Sequence, residues 1–407
     1  MKQITGGVTA AKGFEAAGAE AGIKYTGRAD MALVYSRVPC RVAGTFTTNV
    51  VKAAPVLWDK DIVENSPYAQ AAVVNAGIAN ACTGKQGMDY CREEAKKAAE
   101  LLKIPETAVL LGSTGVIGKQ LPMDRICAGI EKLAAAKSDT LEAGTAASKA
   151  IMTTDTINKE IAVTFELDGK IVTVGGMSKG SGMIHPNMCT MLAYITTDAA
   201  ISKELLQEAL SASIVDTFNM ISVDGDTSTN DTCLAFANGL AGNAEITEKG
   251  AAYEKFREAL NFVNTYLART MAGDGEGATA LLETVVYNAD TKQNARTLAK
   301  SVVCSSLTKA AIYGHDANWG RILCALGYSG VDFDPEKVTL YFESRAGKIK
   351  IYENGTETGY SEDEATRILS EPEVTVLADM KMGSETATAW GCDLTCDYVK
   401  INADYRS

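Results

Sequence analysis

His185 and His315 are all the imidazole that 407 residues offer, so a Ser-His-Asp relay would have to be built on one of them. His315 lies in the loop-like stretch YGHDANWGR and reads either as a base or, more plainly, as a solvated loop residue. His185 lies in MSKGSGMIHPNM, and its one recommendation is proximity to Thr190. A threonine hydroxyl is a weak nucleophile unless a base stands beside it. One solution is for the threonine to become N-terminal, so that its own α-amine, with a reference pKa of about 7.7 to 8.0, takes and returns the proton. Breaking the Cys189–Thr190 bond would create that arrangement without any histidine. By pattern alone, Thr190 reads more plainly as just the first residue of a buried strand, TMLAYITT, because β-branched residues are ordinary at strand starts.

Other stretches could assist. GSTGVIGK, Gly112 to Lys119, superficially resembles a phosphate loop but fails the Walker spacing: five residues separate Gly112 from Gly118, and Gln120 follows the lysine. Its small residues could instead turn backbone amides toward a developing oxyanion, or form a structural turn. GDGEG, Gly273 to Gly277, lacks the G-x-G-x-x-G spacing and follows a predicted helix rather than a strand, which argues against a dinucleotide. Glu276, held between glycines, suits a ligand ammonium, with a helix C-cap as the plainer alternative. The ten cysteines are scattered and read as reduced, buried small side chains; Cys392 and Cys396 alone do not make a zinc site, which needs four ligands.

The elements that must position these residues read as α+β. Residues 31 to 80 alternate apolar runs with Gly-, Pro- and Thr-rich turns and predict strands. Helical periodicity then covers Cys91 to Leu102, a segment capped by Asp124 and ending at Ala136, and Thr140 to Met152. Between Glu160 and Val174, two strand-like runs flank Asp168-Gly169, a hairpin signal. Further helices are predicted at Lys203 to Phe218, Tyr253 to Thr270, Lys292 to Thr308 and Glu362 to Leu369. Strands are predicted at Thr232 to Ala237, Leu281 to Tyr287 and Val374 to Ala378, with a hairpin over 337–353. The C-terminal run WGCDLTCDYVKINADY reads as a strand, and roughly 290–380 as a smaller second domain.

The charge balance, 39 basic against 51 acidic side chains for a net −12, with no Lys/Arg run, makes nucleic acid an unexpected partner. No apolar stretch approaches the ~18 residues of a spanning helix, and MKQITGGVTAAKGFEAAG does not read as a secretory signal. A cytoplasmic protein with no membrane partner is expected.

Nine blocks, in order along essentially the whole chain, resemble the ornithine acetyltransferase (glutamate N-acetyltransferase) family of arginine biosynthesis. They are GTFTTNVVKAAPV from Gly44, NAGIANACTG from Asn75, STGVIG from Ser113, IMTTDT from Ile151 and KGSGMIHPNMCTML from Lys179. VDGDTSTND from Val223, MAGDGEGAT from Met271, DANWGRI from Asp316 and ATAWGCDLTCDYVKINADYRS at the C-terminus complete the set. The resemblance implies a four-layer αββα sandwich like that of N-terminal nucleophile hydrolases, with a smaller α/β domain in the C-terminal half. It implies cleavage between Cys189 and Thr190 into an α chain, 1–189, and a β chain, 190–407, assembled as a heterotetramer of two α and two β chains. It assigns the nucleophile to Thr190, the oxyanion site to Thr114 and Gly115, and substrate contacts to Thr153 rather than Thr154, Lys179, Thr190, Glu276, Asn402 and Ser407. Cys189 stands where the family usually has Ala, Ala76 and Ile78 where Ser and Asn are common, and Ala280 where Lys is common; every implied catalytic group is retained.

The implied reaction moves acetyl from N-acetylornithine to glutamate through an acetyl-threonine, with no metal or bound cofactor and with acetyl-CoA as a second donor to be considered. Two competitors remain: a self-processed amidohydrolase or aminopeptidase using water as acceptor, and a non-catalytic binding protein in which Thr190 is only a strand residue.

Overall fold

The structure is a computed structural model that describes residues 1–185 and 191–403. The chain divides into two compact units. One comprises Met1–Gly180, Pro186–Phe218 and Thr227–Leu267, and the other Ser181–His185, Asn219–Asp226 and Ala268–Ser407. The second unit thus contains the 290–380 stretch and extends beyond it on both sides.

Among the described residues, the first unit is organised on a nine-stranded mixed sheet. Its order is Lys2–Ile4, Lys159–Leu167, Lys170–Lys179, Leu192–Thr197, Thr232–Ala237, Met31–Phe46, Ala69–Ile78 and Val109–Val116, with Phe14–Ala19 also paired to Met31–Phe46. The central strands bury both faces, which is why Ala69–Ile78, AQAAVVNAGI, carries no apolar/polar alternation. The faces separate by the period of two that a strand imposes. Leu33, Val73 and Leu111 pack with Cys91, Ala95, Ile126 and Ile130 of helices Gly84–Leu102 and Met123–Ala136. Ala32, Val34, Ala72, Val74 and Leu110 join Tyr194, Phe236 and, from helix Leu141–Ala150, Ala147 and Ala150.

The second unit carries a seven-stranded sheet among its described residues. The order is Thr356–Glu357, Gly347–Glu353, Thr339–Ser344, Glu373–Asp379, Leu281–Ala289, Glu385–Cys392 and Ile221–Ser222. Helix Lys292–Cys304 packs on it through Ala295, Leu298, Ala299, Val302 and Val303, all buried. The α+β class holds, and no helix among the described residues is long and apolar enough to cross a membrane.

Local expectations were met where turn chemistry is strong. Asp168 and Gly169 adopt φ of 51° and 72° between antiparallel strands that close at Leu167↔Lys170. Thr140 caps its helix by accepting from the Ala143 N–H. Other expectations need correction. Residues 54–65 form a helix, not strands: Pro55 occupies its first turn, where a missing N–H costs nothing. Asp124 lies inside the first turn of Met123–Ala136 rather than capping it. The segment 292–308 is broken at Ser305, whose hydroxyl caps a new helix, Ser306–Tyr313. Among its described residues the C-terminal run is mostly helix, Cys396–Ala403, and only its first three residues end a strand, Glu385–Cys392; Thr395 makes the switch by accepting from the N–H groups of Asp397 and Tyr398.

Candidate active site

In the first unit the chemistry gathers where two parallel strands lose register. Ala69–Ile78 and Val109–Val116 pair evenly from Ala71↔Val109 to Gly77↔Gly115, after which Ile78 meets both Thr114 and Val116. Gly77 and Gly115 have φ of 114° and 127°, and a Cβ on Gly115 would stand 2.2 Å from the carbonyl carbon of Gly77. Only glycine fits that approach. The slip leaves Thr114 and Gly115 half-buried at the end of an otherwise buried strand.

Lys179 ends the strand Lys170–Lys179 and is 7 % exposed. Its ammonium donates to the hydroxyls of Thr153 at 2.9 Å and Thr114 at 3.3 Å. Behind it stands Asp155, whose carboxylate accepts from Lys159 Nζ at 2.7 Å, from the Gly180 N–H at 2.7 Å and from the Thr153 N–H at 3.1 Å, and lies 3.9 Å from Lys179 Nζ. Burial opposes ionisation of Asp155, but the attraction of Lys179 and Lys159 and the bonds from Lys159 and Gly180 outweigh it and hold its pKa at about 2. Arg28 braces the same segment by donating to the carbonyls of Met152 and Thr153 while its guanidinium lies 4.4 Å over the Tyr25 ring.

Asp231 also lies close enough to feel the Lys179 charge. Burial pushes its carboxyl well above the usual range, against bonds from Ser228 and Thr47, the nearby Lys179 charge and the Met191 N–H. The Lys179 ammonium beside the two threonine hydroxyls is the kind of group that takes a ligand carboxylate.

In the second unit, Glu276 is 6 % exposed in the turn after helix Ala251–Gly273. Its N–H donates to the Ser181 carbonyl at 2.9 Å, and its Oε2 accepts from Asn402 Nδ2 at 2.7 Å. A side chain on Gly182 would collide with that carboxylate, its Cβ lying 2.3 Å from Oε2. Glu276 is therefore a nearly buried carboxylate held by Asn402, a contact between two residues that the resemblance named separately as substrate contacts.

Neither histidine enters these clusters. His185 is half-buried with its Nδ1 3.1 Å from Ser222 Oγ, and burial with the nearby Lys300 charge lowers its pKa to about 4. His315 sits in a left-handed turn, φ 53°, with Nδ1 3.4 Å from Ser370 Oγ. Among the described residues no three His, Cys, Asp or Glu side chains are grouped to hold a metal, and the described cysteines are free thiols.

The structure therefore brings Thr114, Gly115, Thr153 and Lys179 together in one unit, and Glu276 with Asn402 in the other. Cys189, Thr190 and Ser407 lie outside the described residues. Sequence reasoning missed Asp155, Lys159 and Asp231. Asp155 stands in the quoted IMTTDT block and four residues before Lys159, a spacing that suggested nothing outside a helix; Asp231 closes VDGDTSTND.

The chain is an acyltransferase built on an α+β fold. Residues 15–407 match the ArgJ family, and the chain belongs to that family. It is 51% identical to the arginine biosynthesis bifunctional protein ArgJ of Thermotoga neapolitana, covering 97% of this chain and 99% of the relative. The corresponding protein of Caldanaerobacter subterraneus subsp. tengcongensis is 50% identical, with all of both chains covered. A crystal structure of arginine biosynthesis bifunctional protein ArgJ from Bacillus halodurans superposes with a TM-score of 0.51 at 46% identity, over 53% of this chain and 99% of that one.

Proposed function

We propose that this protein cuts itself before Thr190 and then transfers acetyl from N2-acetylornithine to glutamate through an acetyl-threonine at that residue. The observation that carries the reading is the convergence of the Lys179 ammonium on the Thr114 and Thr153 hydroxyls beside the constrained Gly115 backbone. A cation that can take a carboxylate, next to a hydroxyl and a backbone amide held in a constrained conformation, is what an acylated amino acid requires.

In this scheme the Thr190 hydroxyl attacks the acetyl carbonyl, passing its proton to the Thr190 α-amine. The Thr114 hydroxyl and Gly115 N–H stabilise the oxyanion; the tetrahedral species collapses, the amine returns the proton to the departing nitrogen, and ornithine leaves. Glutamate then attacks the acetyl ester with its α-amine, giving N-acetylglutamate and restoring the threonine. Lys179 and Thr153 take the α-carboxylate common to donor and acceptor. Glu276, with Asn402 on its carboxylate, complements the ornithine ammonium, and Ser407 is assigned to the same substrate contacts by the family likeness. No metal or bound cofactor takes part in these steps.

The half-length of the solved Bacillus halodurans chain supports the cut, since residues 190–407 are likewise just over half of this sequence. Assembly of the two products as a heterotetramer is part of the proposal. Acetyl-CoA is the second donor to assay, because the relatives are named bifunctional.

The test is mass spectrometry of the purified protein before and after mixing with N-acetylornithine alone. Two chains split at 189/190, with one acetyl added to the 190–407 product, are expected; Thr190→Ala should give one uncut, unacetylated chain. An intact yet active wild type, or an active wild type whose 190–407 product never gains acetyl, would falsify the scheme.

A further inference from the structure

Where the Ala69–Ile78 and Val109–Val116 strands slip, the ladder can no longer satisfy every backbone group, and a side chain from a third segment completes it. Asn230 is 7 % exposed and immediately precedes Asp231 and the strand Thr232–Ala237. Its Nδ2 donates to the carbonyl of Ala79 at 2.6 Å and to that of Ser113 at 2.8 Å, one bond to each side of the slip. The Ser113 carbonyl belongs to the peptide whose N–H is that of Thr114, so this bond fixes the plane of the peptide entering the Thr114-Gly115 turn. The Asn230 Oδ1 accepts from the Thr229 hydroxyl at 2.6 Å, which leaves both amide hydrogens directed at the carbonyls.

The segment bearing Asn230 is itself anchored on both flanks. The Ala53 N–H donates to the Thr229 carbonyl at 2.9 Å, the Thr47 N–H to the Asp231 carbonyl at 3.0 Å, and the Thr47 hydroxyl to the Ser228 carbonyl at 2.8 Å. Two residues on, the Thr232 N–H donates to the Met191 carbonyl at 2.8 Å. One short stretch therefore holds the Thr114-Gly115 turn with its side chain and, with its backbone, the residue that begins the strand region after Thr190.

We propose that Asn230 is a positioning residue for acyl transfer: it sets the orientation of the Thr114-Gly115 oxyanion turn relative to the segment beginning at Met191. The inference rests on the function proposed above and adds to it a residue that touches no reacting atom. Buried carbonyls at Ala79 and Ser113 could be satisfied by any fixed donor, but only one rigidly tied to the Met191 strand also sets the distance between the two halves of the machinery. Displacements of about 1 Å in such groups are enough to cost on the order of 100-fold in rate.

A double-mutant cycle tests this, using Asn230→Ala, Thr114→Ala and the double variant in the full chain, with turnover referred to the cleaved fraction and melting followed in parallel. Wild-type turnover of N-acetylornithine with glutamate is the control; a wild type without it removes the parent reading and this inference together. With an active wild type, Asn230→Ala should lower kcat about 10-fold or more with KM within about 3-fold, since the turn serves the transition state. The double variant should then be no more than about 3-fold slower than Thr114→Ala alone, because the two changes disable one device. Multiplying losses, an unchanged kcat in Asn230→Ala, or a folded but wholly uncut variant would each overturn the proposal while leaving the acetyl-transfer reading intact. If Asn230→Ala is not recovered folded, the cycle is repeated with the isosteric Asn230→Asp; failure of both to fold makes Asn230 a structural residue and overturns its positioning role.

Discussion

Asp155 shows how one buried carboxylate can tie together the residues of a candidate site. It neutralises the fully buried ammonium of Lys159, fixes Gly180 and the Thr153 N–H, and stands 3.9 Å from Lys179. Replacing it with alanine strands a buried charge, and the expected loss is about 3–5 kcal/mol of stability, read by urea unfolding. Its pH signature follows from the direction of its shift. A carboxyl ionised more readily in the folded state, with a pKa of about 2 against an ordinary 3.8, stabilises the fold above pH 4; that contribution fades as pH falls from about 4 to about 2. In Asp155→Asn this segment of the stability curve should flatten, and an unaltered curve would show that the carboxylate is not the group holding the lysines. The sequence singled out Lys179 but neither Asp155 nor Lys159, because the cluster joins a loop to the ends of two strands.

At the scale of elements, the site depends on a defect placed in a regular sheet. Gly77 and Gly115 face each other at positive φ where the parallel ladder slips, and Thr114 and Gly115 are half-buried there in an otherwise buried strand. Gly115→Ala should cost about 1–3 kcal/mol from its backbone conformation alone, before the collision with Gly77 is counted, and should abolish most acetyl transfer. Calorimetry with a kcat measurement checks both; a variant with wild-type melting and turnover would mean that the turn tolerates a side chain and is no precise oxyanion device. The same scale shows which elements the sequence conceals. The Asp168-Gly169 hairpin and the helices opened by Thr140, Ser202, Thr291 and Ser361 were legible because each is set by chemistry within a few residues. Helix Ala54–Asn65 was hidden because proline marks turns and helix starts alike, and helix Cys396–Ala403 because one threonine ends a β-prone run.

For the whole molecule, the proposed cut would divide the described strands of one sheet between two products. Strand Leu192–Thr197, from the C-terminal product, is paired antiparallel to Lys170–Lys179 from the N-terminal one, and Thr232–Ala237 is paired to Met31–Phe46. The products should therefore co-elute in native gel filtration and separate only in denaturant, since parting them would unzip two buried ladders. Native separation of the two halves would contradict this shared sheet. What the sequence determined by itself was whatever local chemistry or a family-wide pattern can carry: the α+β class, the family, the capped helices and the list of reactive residue types. What only tertiary structure decided was company: that Lys179 meets Thr114 and Thr153, that Asn402 holds Glu276, that Asp155 stands beside Lys179. Those contacts join residues from 24 to 126 positions apart, and periodicity and propensity say nothing across such separations because the chain between the partners can close in many ways until packing selects one.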